Sequence, residues 1–381
     1  MEFDLEEAGE RWQLDPAAVH VNHGSFGAVP REVEAEQLRW QRRMRTNPSA
    51  YFRREAMPAI AEARASMSEF LGADADGVAF VRNATEACNA VIRSHPLSAG
   101  DEILVFDQEY QAVTMTMRRQ AAAVGATVVE IAVPTGTTTG EVLGRVASSI
   151  TERTRMLAFD HVTSATAMLM PAAELVSLCR EQGLISVVDA SHVPGSIDPQ
   201  LDHLRPDYWF GNLHKWLCAP VASAVLYVGT AQRAAFRPLI TSWFDDQGFP
   251  TALDMLGTID YSAWLASPSA VAFFDQLGFS RVRQANNARA VYGQHVVGEA
   301  LGVDISGFPT SGLPMALVPL GLAGDHEAAA ALCDVVAVQH GIECAITTFD
   351  GSLFARISGQ LYNRARDYDA LAVALVDVVN R

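Results

Sequence analysis

The chain has 381 residues, 49% hydrophobic and 19% charged, with a formal net charge of −16. It is long enough for one large domain and a smaller one, and its acidic balance argues against a general phosphate-backbone binder. No apolar run approaches the roughly 18 residues of a membrane span, and the five cysteines form no C-x-x-C pair, which excludes a zinc ribbon and argues against a disulfide scaffold.

The opening stretch MEFDLEEAGE is acidic and lacks the basic and apolar regions of a signal peptide, so the expected location is the cytoplasm. The arginines of RWQRRMR, Arg39 to Arg45, read as one face of a helix. From Val78 short apolar runs alternate with helical patterns. VAFV (Val78 to Val81) precedes ATEACNAVIRSH, and EILVF (Glu102 to Phe106) precedes YQAVTMTMRRQAAAVG, with Gly125 as its stop. TVVEIAV precedes a helix from about Gly140 to Ile150. RMLAFDHV precedes PAAELVSLCREQG, with Pro171 at the helix start and Gly183 as the stop. ISVVDAS and SAVLYVG (Ser223 to Gly229) complete the series. Strands rich in Val, Ile and Leu and joined by helices predict an α/β fold with a mostly parallel sheet buried on both faces. From about Leu265 the pattern changes to one long helix and a smaller α+β section. The expected division is a large domain over 21–262 and a small one made of 1–20 and 263–381.

Ligands of such sheets sit at the carboxyl ends of the strands, and the polar residues there are informative. Asn83 and Thr85, after VAFV, are helix-start residues whose neighbouring N–H groups form an anion seat. Asp189 ends the strand ISVVD, with His192 three residues later, and a carboxylate there is costly unless paired. Asn212, His214 and Lys215 follow the apolar YWF. Lys215 is the only lysine among the 28 Lys+Arg residues. Arginine replaces lysine on a solvated surface, but not where chemistry needs a deprotonatable amine. Burial lowers a lysine's pKa and frees its amine to attack an aldehyde. Pyridoxal phosphate needs this set: a helix N-terminus for its phosphate, an acid for its ring nitrogen and a lysine for its aldehyde. No metal site is expected.

The stretches VNHGSFGAVP, NATEACN, DQEYQAV, VVDASHVPG, GNLHKWLCAP and RISGQLYN span nearly the whole chain. In them the chain resembles the fold-type I pyridoxal-phosphate enzymes of the class V aminotransferase group, which includes the cysteine desulfurases, and within it the isopenicillin N epimerase-like branch. The resemblance implies that Lys215 carries the cofactor and moves the Cα proton, and that Asp189 pairs with the pyridine nitrogen. It places His192 near the phenolic oxygen, with Ser164 close by where many relatives carry asparagine. Ala84 and Thr85, with Asn212 and His214, would hold the phosphate, and Tyr110 would stack on the ring. Arg356 matches the residue that grips the substrate α-carboxylate, a job suited to a bidentate guanidinium. Asn22 and Ser25 would contact substrate at the mouth. The segment LGTIDYSAW matches a stretch that reaches the phosphate of a neighbouring subunit, so Thr258 implies a homodimer with shared sites. Two departures stand out: Ala167 occupies a position usually held by glycine, and the segment between Trp243 and Gly257 is short for the branch.

The expected chemistry is therefore at the Cα of a small amino-acid substrate, with no nucleic-acid or membrane partner. Epimerisation or racemisation through Lys215 is the first expectation. The alternatives are β-elimination by a C–S lyase and transamination. Persulfide chemistry would need a catalytic cysteine before the R-x-S stretch, and Cys344, the only candidate by position, reads as a small apolar strand residue.

Overall fold

The computed structural model describes residues 5–380. Its strands are β1 (Val19–His20), β2 (Val78–Val81), β3 (Glu102–Phe106), β4 (Thr127–Ile131), β5 (Thr154–Asp160), β6 (Ile185–Asp189), β7 (Tyr208–Asn212), β8 (Ala224–Val228), β9 (Met315–Ala323), β10 (Ile342–Glu343), β11 (Ile346–Phe349) and β12 (Ser352–Ser358). Seven of them form one sheet in the order β2-β8-β7-β6-β5-β3-β4. From β7 through β4 every pairing is parallel, while β8 runs antiparallel to both of its neighbours.

The period-2 rule shows how both faces are filled. Leu104, Leu157, Val188, Trp209 and Val225 point into one core, whereas Ile103, Val105, Ala158, Val187 and Phe210 point into the other. Strands β2, β3, β7 and β8 are buried along their whole length, which is why they read as unbroken apolar runs. The edge strand β4 is partly exposed.

A second, antiparallel sheet, β11-β12-β9, and the short parallel pair β1-β10 are built mainly from the C-terminal third. A third core lies between these strands and the helices Phe279–Leu301, His326–His340 and Ala365–Val379. Val21 joins this core from the N-terminal side.

Two elements differ from the sequence reading. The long helix is two helices, Ser262–Leu277 and Phe279–Leu301, because Gly278 at φ 82° breaks the ladder. The run YWFGN, read only as apolar context for Lys215, is the sheet strand β7. No helix among the described residues is long and apolar enough to cross a membrane.

Candidate active site

Neighbouring parallel strands deliver two carboxylates to the same edge of the sheet, since Asp160 at the end of β5 lies in register with Asp189 at the end of β6. Asp189 is 1% exposed. Its Oδ1 accepts from the Ser191 N–H at 2.8 Å and from the Ser191 hydroxyl at 2.5 Å. Its Oδ2 is buried without a partner. Glu109, after β3, completes a buried trio with Asp160 and Asp189 whose carboxylate oxygens lie within 4.8 Å of one another.

Three charges cannot be held at that spacing away from water. Burial, then the neighbouring carboxylates, push Glu109 and Asp160 well above the ordinary carboxylate range. Burial raises Asp189 too, but the Ser191 donors and Lys215 oppose it. Asp189 is thus the member best equipped to carry the charge, while Glu109 and Asp160 keep their protons.

Lys215 lies just after β7, and its Nζ is 3.2 Å from His192 Nε2. Trp216 donates its indole N–H to His192 Nδ1 at 3.2 Å. An indole nitrogen is only a donor, so Nδ1 is the acceptor and the neutral ring carries its proton on Nε2. That proton faces Lys215, an arrangement that suits an uncharged amine. Burial and the positive Lys215 and Arg356 push His192 well below its ordinary pKa. Burial first, and Arg356 second, lower Lys215 from 10.5 to about 8, against the pull of Asp189 and Asp160.

At the start of the helix Ala84–Ser94, Asn83 accepts from the Glu86 N–H at 2.9 Å as N-cap. Asn212 Oδ1 accepts from the Ala84 N–H at 3.0 Å, which ties the end of β7 to this helix terminus. Thr85 is exposed in the first turn. His214 Nδ1 lies 2.9 Å from the Ser223 carbonyl, so Nδ1 is the protonated nitrogen.

Arg356, on β12, is only 4% exposed. Its Nη1 donates to the Ser164 carbonyl at 2.7 Å and to Ser164 Oγ at 3.3 Å; Nη2 donates to Ser25 Oγ at 2.5 Å and to Asn22 Oδ1 at 3.4 Å. Ser164 Oγ also lies 3.4 Å from His192 Nε2, linking the arginine to the lysine cluster. A cavity of about 700 Å³ opens here, with Asn22, Ser25, Tyr110, Ser164 and Arg356 on its wall. Tyr110 is 48% exposed.

The fold thus links Lys215, His192, Ser164, Arg356, Ser25 and Asn22 by direct contacts, and Asn212 to Ala84, whereas Thr258 is exposed beside Gly257 and none of these contacts reaches it. The sequence reading missed Glu109, Asp160 and Trp216. Asp160 carried a usable signal, being a second acid that ends an apolar strand. A thiol pair was also missed. Cys333 and Cys344 both line the cavity. Cys333 accepts from the Ile346 N–H at 3.2 Å and from the Cys344 thiol, which lowers it to about 7 and raises Cys344.

The site fits pyridoxal phosphate on its own geometry. The orphaned, buried Oδ2 of Asp189 is an acceptor suited to a protonated ring nitrogen, near the only lysine and beside a capped helix start. Residues 29–371 match the family model described as Aminotransferase class-V. The chain is 30% identical over 397 residues to isopenicillin N epimerase from Amycolatopsis lactamdurans, covering 97% of this chain and 98% of that protein. It is 28% identical to L-cysteine desulfhydrase from Arabidopsis thaliana, covering 94% of this chain and 87% of that protein. The crystal structure of the cysteine desulfurase CsdA from Escherichia coli superposes with a TM-score of 0.80 at 19% identity, over 100% of this chain and 99% of that one. The chain belongs to the class-V aminotransferase family and is a pyridoxal-phosphate-dependent enzyme of the fold-type I class.

Proposed function

We propose that the enzyme epimerises or racemises an amino acid or amino-acid-derived substrate by moving its Cα proton with Lys215. The observation that carries this reading is the contact of the buried Lys215 Nζ with His192 Nε2, within one cluster that also holds Arg356. The similarity to isopenicillin N epimerase along 97% of the chain supports it.

Bound pyridoxal phosphate supplies the electron sink that makes a Cα proton acidic. Lys215 would hold its aldehyde, Asp189 its ring nitrogen and Tyr110 its ring, with His192 and Ser164 to bind its oxygen substituent. The Thr85 end of the Ala84–Ser94 helix, with Asn212 and His214, would seat its phosphate. Glu109 and Asp160 keep their protons so that Asp189 keeps its charge. Arg356 takes the substrate carboxylate, displacing the neutral Ser25 and Asn22 acceptors now on Nη2, because a charge-assisted pair is the stronger one. Lys215 then works on one face of Cα. The exposed Thr258 serves a second copy's phosphate seat in a cytoplasmic homodimer.

Incubation with a panel of L-amino acids and cysteine conjugates in D₂O tests the reading. Deuterium at Cα together with loss of chirality supports it; release of pyruvate or sulfide favours the second reading. That second reading is a C–S lyase, favoured by the similarity to L-cysteine desulfhydrase. It uses the same Lys215 proton abstraction, followed by departure of a β-sulfur group.

A further inference from the structure

We infer that His23, in the loop carrying Asn22 and Ser25, is a positioning residue that sets where the Lys215 amine sits. His23 is fully buried. Its Nε2 lies 3.0 Å from the Lys215 carbonyl oxygen, and its Nδ1 lies 2.8 Å from the Tyr362 hydroxyl. A carbonyl only accepts, so Nε2 carries the proton and Nδ1 accepts from Tyr362. The Gln360 amide nitrogen also lies 3.2 Å from Nε2, but as a donor it cannot pair with the protonated Nε2 and turns to Cys218 Sγ, while its Oε1 takes the Leu361 N–H. Burial, with His20 second, lowers His23 to about 3, so the ring stays neutral across the working range and acts as a fixed strut.

His23 reaches Lys215 by two routes. One is the direct bond to its carbonyl. The other runs through Trp216, whose ring packs 5.1 Å from the His23 ring and whose indole N–H fixes His192 against Lys215 Nζ. The loop around it has no slack. A Cβ on Gly27 would sit 2.6 Å from the Lys215 carbonyl oxygen, and one on Gly24 would sit 3.1 Å from the Trp216 ring. The Gly24 N–H is in turn held by Ser358 Oγ at 3.2 Å, at the end of the strand that carries Arg356. One loop is thus wedged between the arginine strand and the lysine turn, with His23 as the contact to the lysine.

The chain offers a direct probe, because Lys215 is its only lysine. The apoprotein is treated with an amine-reactive acylating reagent across a pH series, and labelling of the Lys215 peptide is followed by mass spectrometry. The wild-type midpoint should fall at about 8. His23→Leu removes the donor and should move the midpoint up toward an ordinary lysine, slowing labelling near pH 7 by about tenfold for each pH unit moved. His23→Gln, which keeps an N–H donor, should restore most of the wild-type profile. A wild-type profile in folded His23→Leu overturns the inference, as does a His23→Gln profile displaced as far as that of His23→Leu. Should His23→Leu fail to fold, Tyr362→Phe decides instead: it removes only the hydroxyl that fixes the ring, and an unchanged midpoint overturns the inference.

Discussion

Replacing Lys215 by methionine should make the apoprotein more stable near neutral pH, and the size of the gain follows from the site. In the unfolded chain the amine titrates at 10.5, and in the folded protein at about 8. Below pH 8 the amine is charged in both states, so folding carries the full cost of a charge held away from water beside Arg356. As pH rises through 8 toward 10.5, the folded protein has released its proton while the unfolded chain still binds one. Stability therefore rises with pH across that window. The difference between the two values corresponds to about 3 kcal/mol near pH 7, shrinking to about 1 kcal/mol near pH 10. Methionine keeps much of the side-chain volume without the charge. Urea unfolding of wild-type and Lys215→Met apoprotein near pH 7 and pH 10 measures both gaps. A variant no more stable than wild type at neutral pH, or a gap that does not shrink at high pH, refutes the reasoning.

Glu109→Gln and Asp160→Asn should stabilise the folded apoprotein at neutral pH, since each wild-type carboxyl is raised above its unfolded value by burial and its acidic neighbours. The stability those protonated groups allow is lost as pH rises above 4.5 for Glu109 and above 3.8 for Asp160, so both gains should vanish near about pH 3, as thermal unfolding at the two pH values would show. Asp189→Asn should instead weaken pyridoxal-phosphate binding, read as a higher dissociation constant in equilibrium dialysis. Arg356→Lys loses the fork that Ser164, Ser25 and Asn22 now frame. It should raise KM by roughly 10- to 100-fold, equivalent to about 1.5–3 kcal/mol, with a smaller change in kcat. Ala167→Gly should stabilise the protein by about 0.5–1 kcal/mol in thermal unfolding, because Ala167 sits at φ 51°, where a Cβ is strained.

Much of this site was readable in the sequence because its residues sit at the ends of recognisable strands. Asp189 announced itself as an acid closing an apolar run, and Lys215 as the sole survivor of its type. Asp160 closes a run of the same kind, yet its partnership with Asp189 depends on β5 and β6 being adjacent and in register, which no local pattern reveals. Trp216 looked like apolar context for the lysine. Its function lies in one N–H aimed at His192, a matter of side-chain direction alone. His23 stood inside a stretch already singled out, between the two residues expected to meet substrate, but its partner is 192 positions away. The break at Gly278 was missed because the apolar pattern continues on both sides and only the backbone angle interrupts it. Ala167 was noticed for its residue type, and its left-handed backbone now supplies the physical reason that glycine suits the position.

The most direct test of the proposed chemistry is a single incubation of the enzyme, loaded with pyridoxal phosphate, with an L-amino-acid panel in D₂O. Chiral chromatography and mass spectrometry follow the amino acid, and pyruvate and sulfide are assayed in parallel. The proposal predicts a substrate that gains one deuterium at Cα and loses its chirality while its total amount stays constant, with all of this absent in Lys215→Met. Stoichiometric pyruvate with loss of the amino acid would contradict it and identify a lyase.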